Sequence, residues 1–458
     1  MKRREFLNAA GIGGVLLLLE ACWRSSPVTV ATGSTIGTSP VPTTAPTAAA
    51  PVRSPAPVSE AVSHLTRTST VPGDEHDAAS STNAFAYDLV RQLADPESNL
   101  VISPASILLA LSMTRVGARG TTESEMNAVL HVPDPATIDH SINALTTLLS
   151  GRNGMRHSKD RDGEVELSIA NAVWARREIP WKPPFLDILA AQYGSGVSLV
   201  DFAADPDAAR TAINEWVATG TRQRITELLE RGMIDAGTMM VLVNAIYFRA
   251  GWATPFDKRM TSPAAFTKAD GSSVEVEMMH CAGSMPYASG RGWQATALAY
   301  VGDELQLALV VPDAGRSGDV AGRLGEVVEA LARPESADVT LGLPKFDFGT
   351  KTDLVTVLSA LGMPSAFSDA DFSGMTEAAG LSIAAVVHQA NVAVDEEGTV
   401  AAAATAVVMA ASATTAPPRA VTLILDRPFL FAVRDVSSGT ILFLGVVNDP
   451  AVHAGAAT

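Results

Sequence analysis

Cysteine is nearly absent. Cys22 and Cys281 are the only two in 458 residues, too few for a disulfide framework, a tetrahedral zinc site or an iron–sulfur cluster. Basic residues are also short: 33 Lys plus Arg stand against 49 Asp plus Glu, and the net charge of −16 leaves no surplus to face a phosphate backbone. Nucleic acid is therefore not an expected partner. Catalytic signatures are missing as well. No Gly-x-Ser-x-Gly elbow, no Ser-x-x-Lys in a suitable context, no His-Glu-x-x-His and, in the globular part, no phosphate-binding glycine loop occurs. The adjacent pair His280-Cys281 fits ordinary packing better than metal ligation. Neither a metal nor a cofactor is expected, and an enzyme is disfavoured. What remains, 47% apolar and 18% charged residues, is enough to bury a large core.

The chain divides by composition. Residues 1–22 read as an export segment, with Arg3-Arg4 before Phe6-Leu7, an apolar run from Ala9 to Leu19, and Ala21-Cys22. Leu19-Glu20-Ala21-Cys22 is similar to a bacterial lipoprotein box, which makes Cys22 a lipidation candidate. Glu20 stands where a small or apolar residue is usual, and the other reading is a plain signal peptide with an incidental cysteine. Residues 23–76, rich in Pro, Thr, Ala and Ser, cannot offset the cost of ordering their backbone and are expected to form a disordered tether. A globular domain is expected over 77–450, followed by a short tail, 451–458.

Within the domain, Ser80-Ser81-Thr82-Asn83 precede Phe85, Leu89 and Leu93 at helical spacing. Ser103-Pro104 cap a helix carrying Ile107, Leu108 and Leu111, and Thr122 with Glu125 has the spacing of a capping box. Later signals favour strands: Val241–Phe248, Trp293–Tyr300, Leu305–Val311, Leu423–Leu425, Phe429–Val433 and Ile441–Val447. Helices early and strands late predict an α+β class with largely antiparallel sheets.

One stretch resists a bland reading. From Gly398 to Ala416 there is neither charge nor proline. Alone it would pass for an Ala-rich helix or a linker. A helix should end better than in Val, Thr and Ser, however, and a structureless loop of this length in a compact domain is usually functional. Small uncharged residues suit a segment that slides between two strands and becomes a central strand.

Five blocks, in order, resemble the serpin family: Asn99-Leu-Val-Ile-Ser103-Pro104-Ala-Ser106; Asn244-Ala-Ile-Tyr-Phe248-Arg-Ala-Gly-Trp252 with Pro255-Phe256; Pro344-Lys-Phe346; His388-Gln-Ala390 with the segment Glu396 to Ala404; and Asp426-Arg427-Pro428-Phe429-Leu430-Phe431. The resemblance implies a large, mostly antiparallel sheet with further sheets, eight or nine helices, and an exposed reactive loop near the C-terminus. It implies a monomeric suicide-substrate inhibitor that traps a serine protease covalently through its reactive loop, with cysteine proteases left open. Glu396, Glu397, Gly398, Thr399, Ala401, Ala402, Ala403 and Ala404 would form the hinge that enters the sheet first. Ser103, Ser106, Asn244 and His388 would form the polar shutter beneath the sheet, and Trp252 would stand at the breach where the loop enters. The family's frame sets Ser412-Ala413 as the scissile bond, within a window of Met409, Ala410, Ala411 and Thr414. Such small residues suit an elastase-like or subtilisin-like protease. The main alternative is a non-inhibitory serpin acting as a binding module, and the lesser one an undetected hydrolase. Location is expected to be extracytoplasmic, with contact to the membrane only through a lipid on Cys22.

Overall fold

Ser103 starts a helix as its sequence suggests: its hydroxyl accepts from the Ser106 backbone N–H, and Pro104 takes the first helical position. The computed structural model describes residues 58–159, 161–315, 323–399 and 419–452, and this helix is one of eight α-helices among them. In chain order the elements are β1 (Ser59–Ala61), α1 (His76–Leu93), β2 (Leu100–Ile102), α2 (Pro104–Arg115), α3 (Gly120–Val129), α4 (Ile138–Ser150), β3 (Gly154–His157) and β4 (Asp162–Arg176). Then come α5 (Pro183–Ile188) with a π-turn at Leu189–Tyr193, β5 (Val197–Val200), α6 (Pro206–Gly220), β6 (Met240–Gly251), β7 (Ser262–Thr267), β8 (Ser273–Gly290), β9 (Trp293–Ala299) and β10 (Leu305–Pro312). The last group is α7 (Leu324–Ala332), β11 (Glu335–Pro344), β12 (Phe346–Asp353), α8 (Val355–Leu361), β13 (Ile383–Val394), β14 (Gly398–Thr399), β15 (Ala420–Ile424), β16 (Phe429–Asp435) and β17 (Ile441–Val447).

The strands make two sheets. The first runs β1-β5-β4-β6-β14-β13-β12 with β3 beside β4; the second runs β15-β11-β8-β9-β10-β16-β17-β2 with β7 beside β8. Pairing is mostly antiparallel, but β6–β13, β4–β5 and β11–β15 are parallel. This is the α+β class expected. The first sheet is buried on both faces, which is why β6 reads as a near-continuous apolar run. Leu242, Ile246, Phe248 and Ala250 face the main core with α2, while Val241, Val243 and Ala245 face a second cluster with Ile213 and Val217 of α6.

Three expectations need correction. The polar run Ser80–Asn83 does not cap α1, which already begins at His76. Its side chains serve tertiary contacts: Ser81 donates to the His131 carbonyl, and Asn83 donates to the Gly439 carbonyl and accepts from Ile441 N. Thr122 and Glu125 do not form a capping box, since α3 starts at Gly120. Both turn instead to the Ser365 hydroxyl, at 3.2 and 2.6 Å, and tie down the 3-10 turn Pro364–Phe367. The tether does not run to 76. Ser59–Ala61 pair with Val197–Leu199, and Thr68 N donates to the Ala191 carbonyl at 2.7 Å, because backbone ladder bonds require no apolar composition. The export segment, the tether up to residue 57 and the tail from 453 lie outside the described residues. Among the described residues no helix is long and apolar enough to cross a membrane.

Candidate functional site

Alternation along two strands builds the site. On β6, Asn244 falls on the α2-facing side, in a row otherwise formed by Leu242, Ile246 and Phe248. On β13, His388 falls in the matching row with Val386, Ala390 and Val392. The parallel register sets His388 directly across from Asn244. Two polar side chains thus interrupt a buried apolar face at the same level, and each must find a partner there.

They find each other and the N-terminal end of α2. Ser103 N–H donates to His388 Nε2 at 3.1 Å, so Nε2 carries the lone pair and Nδ1–H donates to Asn244 Oδ1. Asn244 Nδ2 donates to Ser106 Oγ and to Asn171 Oδ1, each at 2.7 Å. Ser106 Oγ donates to Asn171 Oδ1 at 2.9 Å, and Asn171 Nδ2 returns a bond to the Ser106 carbonyl at 3.0 Å. His388 is fully buried, and burial pushes its pKa down to about 3. A proton on Nε2 would also confront the Ser103 N–H with a second donor. The four expected residues Ser103, Ser106, Asn244 and His388 therefore meet in one network that bridges the β6–β13 seam. Asn171 of β4 completes it and was missed. Its signal was available, since Leu167, Ile169, Asn171 and Val173 alternate along β4.

The upper end of the seam is open, and β14 fills it. Gly398 pairs with Gly251 and Thr399 with Ala250 of β6, while Thr399 pairs with Val394 of β13. The chain reverses between β13 and β14 in a tight turn in which Asp395 Oδ1 accepts from the backbone N–H groups of Glu397 and Gly398 at 2.8 and 3.2 Å. A Cβ on residue 398 would lie 2.2 Å from the Ala250 carbonyl oxygen, so only glycine passes here. Trp252 holds the turn through its indole N–H to the Asp395 carbonyl and its backbone N–H to the Glu397 carbonyl, both 2.9 Å. Its ring stacks on Tyr300 at 4.7 Å.

Cations clamp the two acids before β14. Glu396 is buried and receives Lys345 Nζ at 3.1 Å and the Thr261 hydroxyl at 2.9 Å. Burial pushes its carboxyl up, but its own backbone N–H, Thr261 and Lys345 together overcome that and hold it below the usual range. Glu397 lies 3.1 Å from Lys258 Nζ and 3.7 Å from Arg161 Nη2, and its hydrogen bond pushes the Lys258 ammonium up. Lys258, Arg161 and Tyr300 were not singled out from sequence, because their partners lie far along the chain, Glu397 for the two cations and Trp252 for Tyr300. Ala401–Ala404, the window Met409–Thr414 with Ser412-Ala413, and Cys22 lie outside the described residues. Among the described residues no cluster of His, Cys, Asp or Glu could hold a metal ion. His280 and Cys281 are half-buried, and burial pushes the Cys281 thiol up to about 12.

Comparison with known proteins agrees with this architecture. The family model described as "Serpin (serine protease inhibitor)" matches residues 80–450, and the chain belongs to the serpin family. It is 35% identical to the leukocyte elastase inhibitor of Sus scrofa over 386 residues, covering 81% of this chain and 99% of that protein. Among solved structures it resembles the thermophilic serpin Tengpin in its native state, with a TM-score of 0.70 at 27% identity over 84% of this chain and 96% of that one. It also resembles human thyroxine-binding globulin complexed with thyroxine, at a TM-score of 0.72 and 28% identity, covering 83% of this chain and 100% of that one. Serpins are generally protease inhibitors rather than enzymes, and proteases are their general partners.

Proposed function

We propose that this serpin is a suicide-substrate inhibitor of a serine protease, a behaviour already known of the family. The observation that carries the reading is β14: the first two residues of the loop lie in ladder register between β6 and β13. Continuing the Thr399–Ala250 register would lay residues 400–409 along β6 until Met409 came opposite Met240, the first residue of β6. The proline-free, uncharged run extends past that point to Ala416. Further entry must part the direct β6–β13 pairing below, including His388 from Asn244. In the same register Thr405 comes opposite both residues, and its hydroxyl offers them a replacement partner.

The chemistry is a race. The protease serine attacks the loop carbonyl and the loop amine leaves, giving an acyl-enzyme; the freed hinge then inserts before water hydrolyses the ester. The scissile bond is assigned to Ser412-Ala413 within the window Met409 to Thr414, so an elastase-like or subtilisin-like protease is the fitting target. Thyroxine-binding globulin stands for the second reading, a binding module. Hinge composition favours inhibition, since Gly398, Thr399 and Ala401–Ala404 carry no charge or proline. Mixing with a panel of such proteases should give an SDS-resistant band at the summed mass. Complete loop cleavage without that band, across the panel, would leave the binding reading standing.

Export by the Arg3-Arg4 segment and anchoring through a lipid on Cys22 belong to the same reading, and they would display a monomeric inhibitor outside the cytoplasmic membrane on the tether. Labelled fatty acid should appear on the wild type and not on Cys22→Ala in a bacterial host; equal labelling of both, or of neither, removes the anchor.

A further inference from the structure

Residues 221–239, between α6 and β6, cross the first sheet on the face opposite the polar network. Their buried residues Ile225, Leu228 and Leu229 share one cluster with Val241 and Val243 of β6 and with Ala385 and Val387 of β13, so the crossing covers the seam. Its start is fastened to β4 and β6. Ser168 donates its hydroxyl to the Gly220 carbonyl at 2.6 Å, and Arg222 Nη1 lies 3.0 Å from Glu166, which also faces Arg249 Nη1 at 3.5 Å. Arg224 sits 5.8 Å over the Tyr247 ring. Arg222 and Gln223 turn the chain there at φ of 51° and 63°, a conformation that non-glycine residues keep only where their surroundings hold it.

The middle of the crossing is fastened on the other side of the seam. Lys351 of β12 donates from Nζ to the Glu227 carbonyl at 3.2 Å and to Glu230 Oε1 at 2.7 Å. Because β12 is laddered to β13 from Phe346 to Asp353, the two strands move together. A strand entering between β6 and β13 parts the halves by one strand spacing, about 4.8 Å, farther than a hydrogen bond stretches. One set of anchors must let go. The near set is several-fold and holds a buried acid, Glu166, whereas the far set hangs on one ammonium and a carboxylate that is 67% exposed, which water can take over. Directly across the β12–β13 ladder from Lys351, Gln389 Oε1 is buried without a partner, an acceptor within reach of the ammonium once it leaves the crossing.

We propose that Lys351 is a brake on loop insertion: the crossing releases β12 at this ammonium, stays on β4, and opens the seam at a rate that the Lys351 bonds set. Lys351 is a positioning residue, acting on the seam through Glu227 and Glu230. The proposal rests on the insertion reading.

Uptake of a synthetic peptide with the sequence of residues 400–412 by the intact full chain reads seam opening with no protease present. Lys351→Met keeps an unbranched apolar stem and removes both bonds. It should take up the peptide about two- to fivefold faster than the wild type, the range that an exposed ion pair supplies. Glu230→Gln should give part of that gain, and the two changes together no more than Lys351→Met alone. Lys351→Arg should restore the slower rate. At about 1 M salt, where exposed charges are screened beyond roughly 3 Å, the wild type should approach Lys351→Met. Lys268→Met, which breaks a pair with Asp449 on the second sheet, should leave the rate unchanged. One common rate for the wild type, Lys351→Met and Glu230→Gln, or equal acceleration by Lys268→Met, overturns the proposal and leaves the inhibitor reading standing. Uptake by none of these proteins overturns it together with insertion.

Discussion

The hydroxyl of Tyr300 lies 2.6 Å from that of Thr399, and both residues are buried. Thr399 is the last described residue of the loop, already seated in the sheet, and Tyr300 belongs to the second sheet's side of the core, edge-on to Phe248 at 5.0 Å and stacked on Trp252. Burial pushes the Tyr300 phenol up, so it meets Thr399 as a neutral hydroxyl. One hydrogen bond thus holds Thr399 in its place between β6 and β13.

Tyr300→Phe should therefore destabilise the intact protein by about 1–3 kcal/mol, because the Thr399 hydroxyl stays buried without a partner. Tyr300→Phe combined with Thr399→Val should recover more than half of the loss, since neither side then carries an orphan. Urea midpoints of the two singles and the double decide it. Additive losses would show that the two hydroxyls are not coupled.

Much of this region was legible before the fold was known, and the residues show why. The helix cap at Ser103-Pro104 and the strands at Trp293, Leu305, Phe429 and Ile441 are local signals, and they fell where expected. The central β4, from Asp162 to Arg176, was missed although its apolar residues alternate, because Asp162, Glu164 and the glycine between give it a loop-like start. Polar residues misled where they serve distant partners, as Ser81, Thr122 and Glu125 do. For the site, Asn244 and His388 came through family blocks, whereas Tyr300, Lys258 and Arg161 act across the chain, and no periodicity encodes that.

Thr399→Arg should convert inhibitor into substrate. The side chain at 399 is 2% exposed between β6 and β13, and taking a guanidinium out of water there costs far more than burying a threonine. The measured quantity is the number of inhibitor molecules consumed per protease molecule trapped, expected to rise at least tenfold. Unchanged stoichiometry would count against entry of the loop at this seam.

Cleavage inside the window should raise the thermal midpoint, because an added strand bonds to β6 and β13 on both edges where now the two share one parallel ladder. Thr405→Val refines the test. It should leave the intact protein's midpoint unchanged and reduce the gain on cleavage, since Asn244 and His388 would then be separated with nothing to replace their bond. A midpoint that does not move on cleavage refutes insertion; an equal gain in both proteins refutes only the part given to Thr405.

The His388 imidazole should make the intact protein acid-sensitive. Its pKa stands at about 3 in the fold against 6.5 for the free side chain, so between those values the unfolded chain holds a proton that the native state refuses. Stability is then fully present above pH 6.5 and falls as pH drops toward 3, by up to about 1.4 kcal/mol per pH unit. From pH 7 to pH 5 this one group accounts for about 2 kcal/mol. His388→Gln keeps an amide able to bond Asn244 and removes the titration, while the carboxylates titrate alike in both proteins. Urea midpoints at pH 7, 6 and 5 should therefore fall more steeply for the wild type than for the variant, whatever the variant's absolute stability. Parallel slopes would mean that His388 is protonated at neutral cost, and the lone pair facing the Ser103 N–H would lose its role in holding β13 to the start of α2.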